Sequence, residues 1–467
     1  MSEKSSWVQT TIGEACEVAP SGSSLEANSP FIPMASVEVG QMFPVSTEPK
    51  GTRGGIRAEA NDLLFARITP CLENGKVALV PPSLDRVGGS TEFIVVRPSK
   101  EVLPKFLYYW SLHPEVRQLA QARMIGTTGR MRLSPTDLAA VPFWLTGTAE
   151  QSRVVAAIEN AFSKLDVGEA GLHKVRQQLQ RLREAVLSEA LIGRMTNRLA
   201  NDRPAQEILS RLGIDVVEDE SLPTLPHHWA YASLGQLAAV AGGVTKDAKL
   251  QTDTSFVEVP YLRVANVQRG FLDLAQVTTI RVSPLKVEQL RLQKGDVLFN
   301  EGGDRDKLGR GWLWDGQIEN CIHQNHVFRA RLKSDLFQPK LVSLWGNSFG
   351  KSWFESKGKQ TTNLASLNMT TLKSFPVPVA PAEEQRQIVG EIERQFSFIE
   401  AAERAVETGL LRSAALRRSI LKAAFEGRLV PQDPTDEPAS VLLERIRAER
   451  LASAATAPKK TRSKVAK

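Results

Sequence analysis

Cysteine is nearly absent, with Cys16, Cys71 and Cys321 the only thiols in 467 residues. The count is odd and no CxxC spacing occurs, which argues against a disulfide framework or a zinc ribbon and leaves three small core residues. Long apolar runs are missing as well. Stretches such as "FIVV" at Phe93 to Val96 fall far short of the roughly 20 residues a membrane helix needs, so no span is expected. No apolar segment follows the charges of "MSEKSSWVQT", so a secretory leader is not expected and a cytoplasmic location is.

The signatures of common enzymes are also lacking. "LGRGWLW" at Leu308 and "NGKVAL" at Asn74 do not complete GxxxxGK[ST], so no P-loop is formed. No GxGxxG follows a predicted strand, no GxSxG elbow occurs, and "VPPSL" at Val80 lacks the flanking residues of an amino-methyltransferase motif. "CIHQNHVF" gathers Cys321, His323 and His326. On a strand the first two share a face and His326 opposes them, and no second ligand cluster accompanies it, so metal binding is not expected. The chain therefore reads as a binding and scaffolding subunit rather than an enzyme.

What is present is a modest net charge of +7, placed in clusters: "KGTRGGIR" at Lys50, "GTTGRMR" at Gly126, "GDRDKLGRG" at Gly303 and the tail "KKTRSKVAK". Such clusters permit a polyanionic partner. More informative is an internal repeat. Moving 234 residues along the chain takes "NDLLFAR" at Asn61 to "GDVLFNE" at Gly295, Pro142 to Pro376 and Gln151 to Gln385. The same step takes "LIGRM" at Leu191 to "FEGRL" at Phe425 and "RPAQEILSRL" at Arg203 to "EPASVLLERI" at Glu437. Nearer the start the offset slips, with Pro30 matching Pro260 and Trp7 matching Trp229. A period this long is a duplicated domain, not a solenoid unit.

Each copy has two parts. Residues 1–147 and 227–380 alternate short β-rich runs with helical stretches between Gly, Pro and Ser punctuation, which predicts two tandem mixed α/β (α+β) globular domains. Residues 148–195 and 381–428 read as long helices. Residues 196–226 form a linker with a short helix, and 429–467 a second short helix and the basic tail. In the first long helix Ile158, Leu165, Leu172, Leu179 and Val186 recur every seven positions, with Ala161, Val175 and Leu182 in a second seam. Ile392, Ile399, Val406 and Ile420 do the same in the second, with Ala402 and Leu416 beside them. A sustained heptad predicts an antiparallel coiled coil between the two helices, with pseudo-two-fold symmetry inside one chain. The competing expectation, that each stripe covers its own domain, fits poorly with a rod of roughly 60 Å. Gly168, Gly171 and Gly409 each cost about 1 kcal/mol relative to Ala and mark either a close approach or a kink.

The helix opening Pro-x-x-Glu-Gln-x-x-Ile at Pro381 to Ile388, the exit "SILKAAFEGRL" from Ser419, the following "VLLERIRAER" and the tandem halves together resemble the specificity subunit of a type I DNA restriction-modification enzyme. The first copy departs from this pattern, opening with "GTAEQ" and lacking the Pro and first Glu. The resemblance implies two target-recognition domains, each reading one half of a bipartite double-stranded DNA sequence, with the helices as spacer and docking surface. It also implies two adenine methyltransferase subunits that use S-adenosylmethionine and two restriction/translocase subunits that use ATP and Mg. Those cofactors are expected on the partners, and none in this chain. A duplicated scaffold that joins proteins without reading DNA is the alternative.

Phosphates are neutralised by Lys and Arg, and base edges are read by Arg, Asn and Gln. On that basis the candidates in the first domain are Arg53, Arg57, Arg67, Asn74, Lys76, Arg130 and Arg132. In the second they are Arg263, Asn266, Arg269, Asn300, Arg305, Lys307, Arg310, Gln324, Asn325 and Gln360.

Overall fold

A computed structural model of the chain describes residues 7–127, 129–196, 202–252, 255–303, 307–360 and 365–456. It divides into two compact units: Met1–His173 with Glu407–Lys467, and Lys174–Val406.

In the first unit, "DLLFAR" supplies the strand Leu63–Ala66, every residue of which is buried, as a central strand must be. It pairs antiparallel with Val77–Leu79 on one side and Phe93–Pro98 on the other, and Cys16–Val18 completes the sheet. A second four-stranded sheet holds Pro30–Ile32 and Arg86–Gly89 in parallel, with Glu48–Pro49 and Ile56–Glu59 at its edges. The strand Val8–Thr11 pairs with Pro142–Leu145, and Ile125–Thr127 forms a hairpin with Arg130–Arg132.

The second unit repeats this plan. Val297–Asn300 is its fully buried central strand, paired with Gly311–Leu313 and Val327–Leu332, and Ala238–Ala241 closes the sheet. Ala230–Ser233 pairs with Pro376–Val379 as its counterpart does. The helical stretches begin with proline at the first turn, Pro104–Ser111 and Pro339–Asn347, where a missing N–H costs nothing. From matched places in those helices, Trp110 donates to the Pro142 carbonyl at 3.3 Å and Trp345 to the Pro376 carbonyl at 2.7 Å.

The long helices run without a break over Thr148–Leu191 and Ala382–Phe425, 44 residues each. Their openings explain the Glu-Gln motif. Gln151 accepts from the Leu103 amide at 2.9 Å and donates to the carbonyls of Glu101 and Thr146. Gln385 accepts from Gln338 at 2.8 Å and donates to Leu336 and Ala380. One buried amide thus ties each helix base to its own domain. The preceding glutamates hold the tryptophans: Trp7 donates to Glu150 at 2.8 Å and Trp229 to Glu384 at 3.1 Å. Glu383, which the first copy lacks, is exposed and among the described residues pairs only with Arg386 in its own helix, so its absence leaves the opening intact.

In each unit, residue numbers fall along one helix as they rise along the other. In the first, Phe162 and Asp166 meet Arg417, Glu169 meets Ser413 and Arg417, and Leu172 meets Gly409. In the second, Arg183 approaches Phe396, Glu400 and Glu403, and Thr196, just past the end of the first helix, donates to Glu384. Gly409 therefore serves close approach, since a Cβ there would lie 2.9 Å from Leu172, whereas Gly168 and Gly171 face open space. Of the heptad residues, Ile158, Leu179, Val186, Ile392, Ile399 and Val406 are buried and Leu165, Leu172 and Ile420 half-buried. The second seam is different: Val175, Leu182 and Leu416 stay more than 40% exposed, because a single partner helix covers one stripe of a cylinder.

The Ser413 hydroxyl, and then the Arg417 guanidinium, hold the Glu169 carboxyl below its ordinary 4.5. A depressed carboxylate stabilises the fold above its unfolded pKa and loses that contribution as pH falls through its folded value. Glu169→Gln should therefore melt roughly 1 to 3 °C below the native protein at neutral pH, and the gap should close as pH drops below 4.5. A gap independent of pH in differential scanning calorimetry would contradict this.

The short helices are not appendages. Ala205 and Leu209 enter the core of the second unit, and their matches Ala439 and Leu443, with Leu442 and Ile446, enter that of the first beside Phe106 and Phe425. Arg445 clamps the latter helix, its Nε and Nη2 donating to the Glu101 carboxylate at 2.9 Å each and its Nη1 to Glu437 at 2.7 Å. Among the described residues no helix is long and apolar enough to cross a membrane.

Candidate nucleic-acid interface

The central strand in each domain carries an ion pair at one end and a variable end opposite. At the first end, Arg97 grips Asp62 through two hydrogen bonds of 2.9 Å, and Arg331 grips Asp296 through two of 2.7 Å. Both aspartates are buried, and each also accepts a backbone N–H. This end is scaffold. At the other end lie Arg67 and Glu92 in the first domain, and Glu301 and His326 in the second.

The structure gathers several first-domain candidates around that variable end. Arg57 and Arg67 line a cavity of about 380 Å³ with Gly22, Gly55 and Thr91. Arg132 holds Glu92 with contacts of 2.7 to 3.2 Å, and Arg130 lies exposed two residues away on the same hairpin. The Arg132 guanidinium, with Arg67 nearby, lowers the Glu92 carboxyl, so this carboxylate is charged at neutral pH. The Arg67 Nε is buried, with no hydrogen-bond partner among the described residues. Arg57 donates to the Gly22 carbonyl at 2.8 Å. Arg53 is set apart, ion-paired with Glu48 and lying over the Phe31 ring at 5.1 Å. Asn74 is exposed in the turn after the central strand, and the Lys76 ammonium donates to the Met34 carbonyl at 3.2 Å.

Two second-domain candidates turn inward. Asn266 is buried, its oxygen accepting from the Arg263 amide and its nitrogen donating to the Asp273 and Gln276 carbonyls. Asn300 is buried too, donating to Val264 and Val267. With their donors spent on backbone carbonyls, these amides hold turns and are withdrawn as base readers. Arg310 donates to the same Val264 carbonyl at 3.4 Å, beside the half-buried Arg263. Lys307 is half-buried. Gln324 and Asn325 sit in the turn leading to His326. Arg269 lies elsewhere, donating to the Asn347 carbonyl on the wall of a larger cavity of about 940 Å³ with Trp312, Trp345 and Phe349. Arg305, the Gln360 side chain and the basic tail from residue 457 lie outside the described residues.

Sequence reasoning did not select Glu92, Glu301 or His326, because a search for cations and amides passes over acidic residues and a lone histidine. The signal was available in the repeat, where Arg67 answers Glu301 and Glu92 answers His326 at the shared offset. Cys321 and His323 are core residues. Burial raises the Cys321 thiol to about 12 and lowers His323 to about 4, and the neutral ring donates from Nδ1 to the Val327 carbonyl at 2.7 Å.

The chain is similar to several known proteins. Residues 226–405 match the family model described as "Type I restriction modification DNA specificity domain". The chain is 25% identical to the EcoKI specificity subunit of Escherichia coli strain K12, over 77% of this chain and 74% of that one. It is 23% identical to the EcoAI specificity subunit of Escherichia coli, over 90% and 82%. Among solved structures, a chain from a study of complex assembly and conformational transition in the type I R-M system aligns with TM-score 0.69 at 18% identity, covering 91% of this chain and 98% of that one. The HsdS subunit from Thermoanaerobacter tengcongensis aligns with TM-score 0.57 at 17% identity, over the same shares, and both likenesses show the fold. Residues 226–405 thus carry the match to the type I restriction modification DNA specificity domain, and the chain is similar over about three quarters of its length to type I restriction enzyme specificity subunits.

Proposed function

We propose that each globular domain reads one half of a bipartite double-stranded DNA target, and that the two long helices pack as an antiparallel coiled coil with pseudo-two-fold symmetry and set the unread gap. The observation that carries this is the repeated domain frame with different polar side chains at one end of its central strand. One backbone plan can then present two different readers. Of the original candidates, Arg57, Arg67, Arg130 and Arg132 in the first domain, and Arg263, Lys307, Arg310, Gln324 and Asn325 in the second, are the residues we assign to DNA contact.

Two adenine methyltransferase subunits dock on the outward helix faces, and two restriction/translocase subunits complete the assembly. Support comes from apolar side chains left on those faces: Val167 at 73% and Leu411 at 64% exposed in the first unit, and Phe398 at 65% in the second. A docked partner would cover these side chains. S-adenosylmethionine, ATP and Mg belong to those partners in this reading, whose setting is the cytoplasm.

The test is co-expression with the methyltransferase subunits and sequencing of the modified bases. Methylation should fall in a two-part motif. Seven residues inserted into each helix should widen the gap by about three base pairs, from a 1.5 Å rise against 3.4 Å per base pair, and leave both half-sites unchanged. An insertion that altered a half-site would defeat the spacer role, and a complex without sequence-selective binding would favour a plain scaffold.

A further inference from the structure

Three backbone contacts frame the variable end of the central strand, and they are the same in both domains. The Arg67 amide donates to the Glu92 carbonyl at 2.9 Å, and the Glu301 amide donates to the His326 carbonyl at 2.9 Å. The Leu133 amide donates to the Arg67 carbonyl at 2.8 Å, and the Leu367 amide to the Glu301 carbonyl at 2.7 Å. Ile68 bridges Arg132 as Gly302 pairs with Ser366. Side chains at the three matched positions are nonetheless unlike: Arg67, Glu92 and Arg132 in one domain, Glu301, His326 and Ser366 in the other.

The contrast with the opposite end of the strand is informative. There the fold needs a buried ion pair, and both copies keep Asp with Arg. Here the same backbone bonds recur in both copies while the side chains differ, Arg132 ion-paired with Glu92 in one and His326 bonded to Glu301 in the other. Where the first domain has a cation, Arg67, the second has an anion, Glu301, with His326 bonded to its carboxylate through Nδ1. The side chains of His326 and Glu301 stay 54% and 29% exposed, and that of Arg132 45%, so they can meet a ligand in solution.

We infer that these three matched positions determine which base pair each half-site carries. Arg67 presents donors suited to the guanine major-groove edge, with Glu92 engaged in holding Arg132. Glu301 presents an acceptor suited to the cytosine amino group, with His326 fixing its orientation and the small Ser366 standing at the position Arg132 holds in the other copy. The inference rests on the DNA-reading function proposed above and adds residues to it: Glu92, Glu301, His326 and Ser366.

The experiment exchanges the charges in the full methyltransferase complex and reads methylated motifs genome-wide. Glu301→Arg with His326→Glu should lower methylation of the native target about tenfold relative to one altered in the second half-site, with the first half-site unchanged. Arg67→Glu with Glu92→His should do the converse. Unchanged half-sites in both exchanges would overturn the inference. Should a double variant fail to assemble, Glu301→Gln decides: relaxed choice at one base pair of the second half-site supports the assignment, and an unaltered motif overturns it. A native complex with no bipartite motif would instead defeat the underlying DNA-reading function, so the two failures are distinguishable.

Discussion

Glu384→Ala is expected to destabilise the unit of residues 174–406 by about 3 to 5 kcal/mol in urea unfolding. The Glu384 side chain is fully buried and sits within 2.9 Å of His228 Nε2, 3.1 Å of Trp229 Nε1 and 3.0 Å of Thr196 Oγ1. Truncation strands these groups in the interior, where each unpaired donor costs about 1 to 3 kcal/mol. The neighbouring Glu383→Ala is the control. That residue is exposed and bonded within its own helix, so its removal should stay within about 0.5 kcal/mol. Similar losses for the two variants would show that the motif glutamate does not anchor the helix base. Glu150→Ala should weaken the other unit in the same way, through Trp7 and Thr146.

Arg57→Ala combined with Arg130→Ala should weaken DNA binding by the assembled complex about 30-fold at 0.15 M salt and reduce the slope of log affinity against log salt by about 1.8. Both residues are exposed, and they flank the cluster of Arg67, Glu92 and Arg132. Neither stands in the domain core, so the loss should come from phosphate neutralisation, uniform across sequences, with the preferred half-site retained. Titration by fluorescence anisotropy across a salt series separates the terms. An unchanged slope would remove this face of the first domain from the DNA path. A changed half-site would move Arg57 or Arg130 from phosphate contact to base reading.

The repeat was legible because a 234-residue offset leaves identical residues at fixed places, and the tertiary structure gives those matches physical work. Gln151 and Gln385 tie helix to domain, and Asp62 and Asp296 hold their arginines. The principal heptad stripe was legible for a related reason: burial along a helix repeats every 3.5 residues, so one element records it alone. The secondary stripe misled, since Val175, Leu182 and Leu416 remain more than 40% exposed. An apolar residue in a sequence carries no label stating whether it will be covered by its own chain or another.

The sequence by itself determined the duplication, the two long helices and their Glu-Gln openings, because these are encoded in local pattern and in the comparison of one half with the other. Tertiary structure alone decided that Ala439, Leu442 and Ile446 complete the core around Phe106, more than 300 residues away in the chain. It also decided that Asn266 and Asn300 serve backbone carbonyls. An amide can bond a base edge or a carbonyl equally well, and only the folded chain fixes which partner lies within 3 Å. The same holds for Glu301 and His326. Twenty-five residues separate them in sequence, and the antiparallel ladder brings them to one end of the central strand.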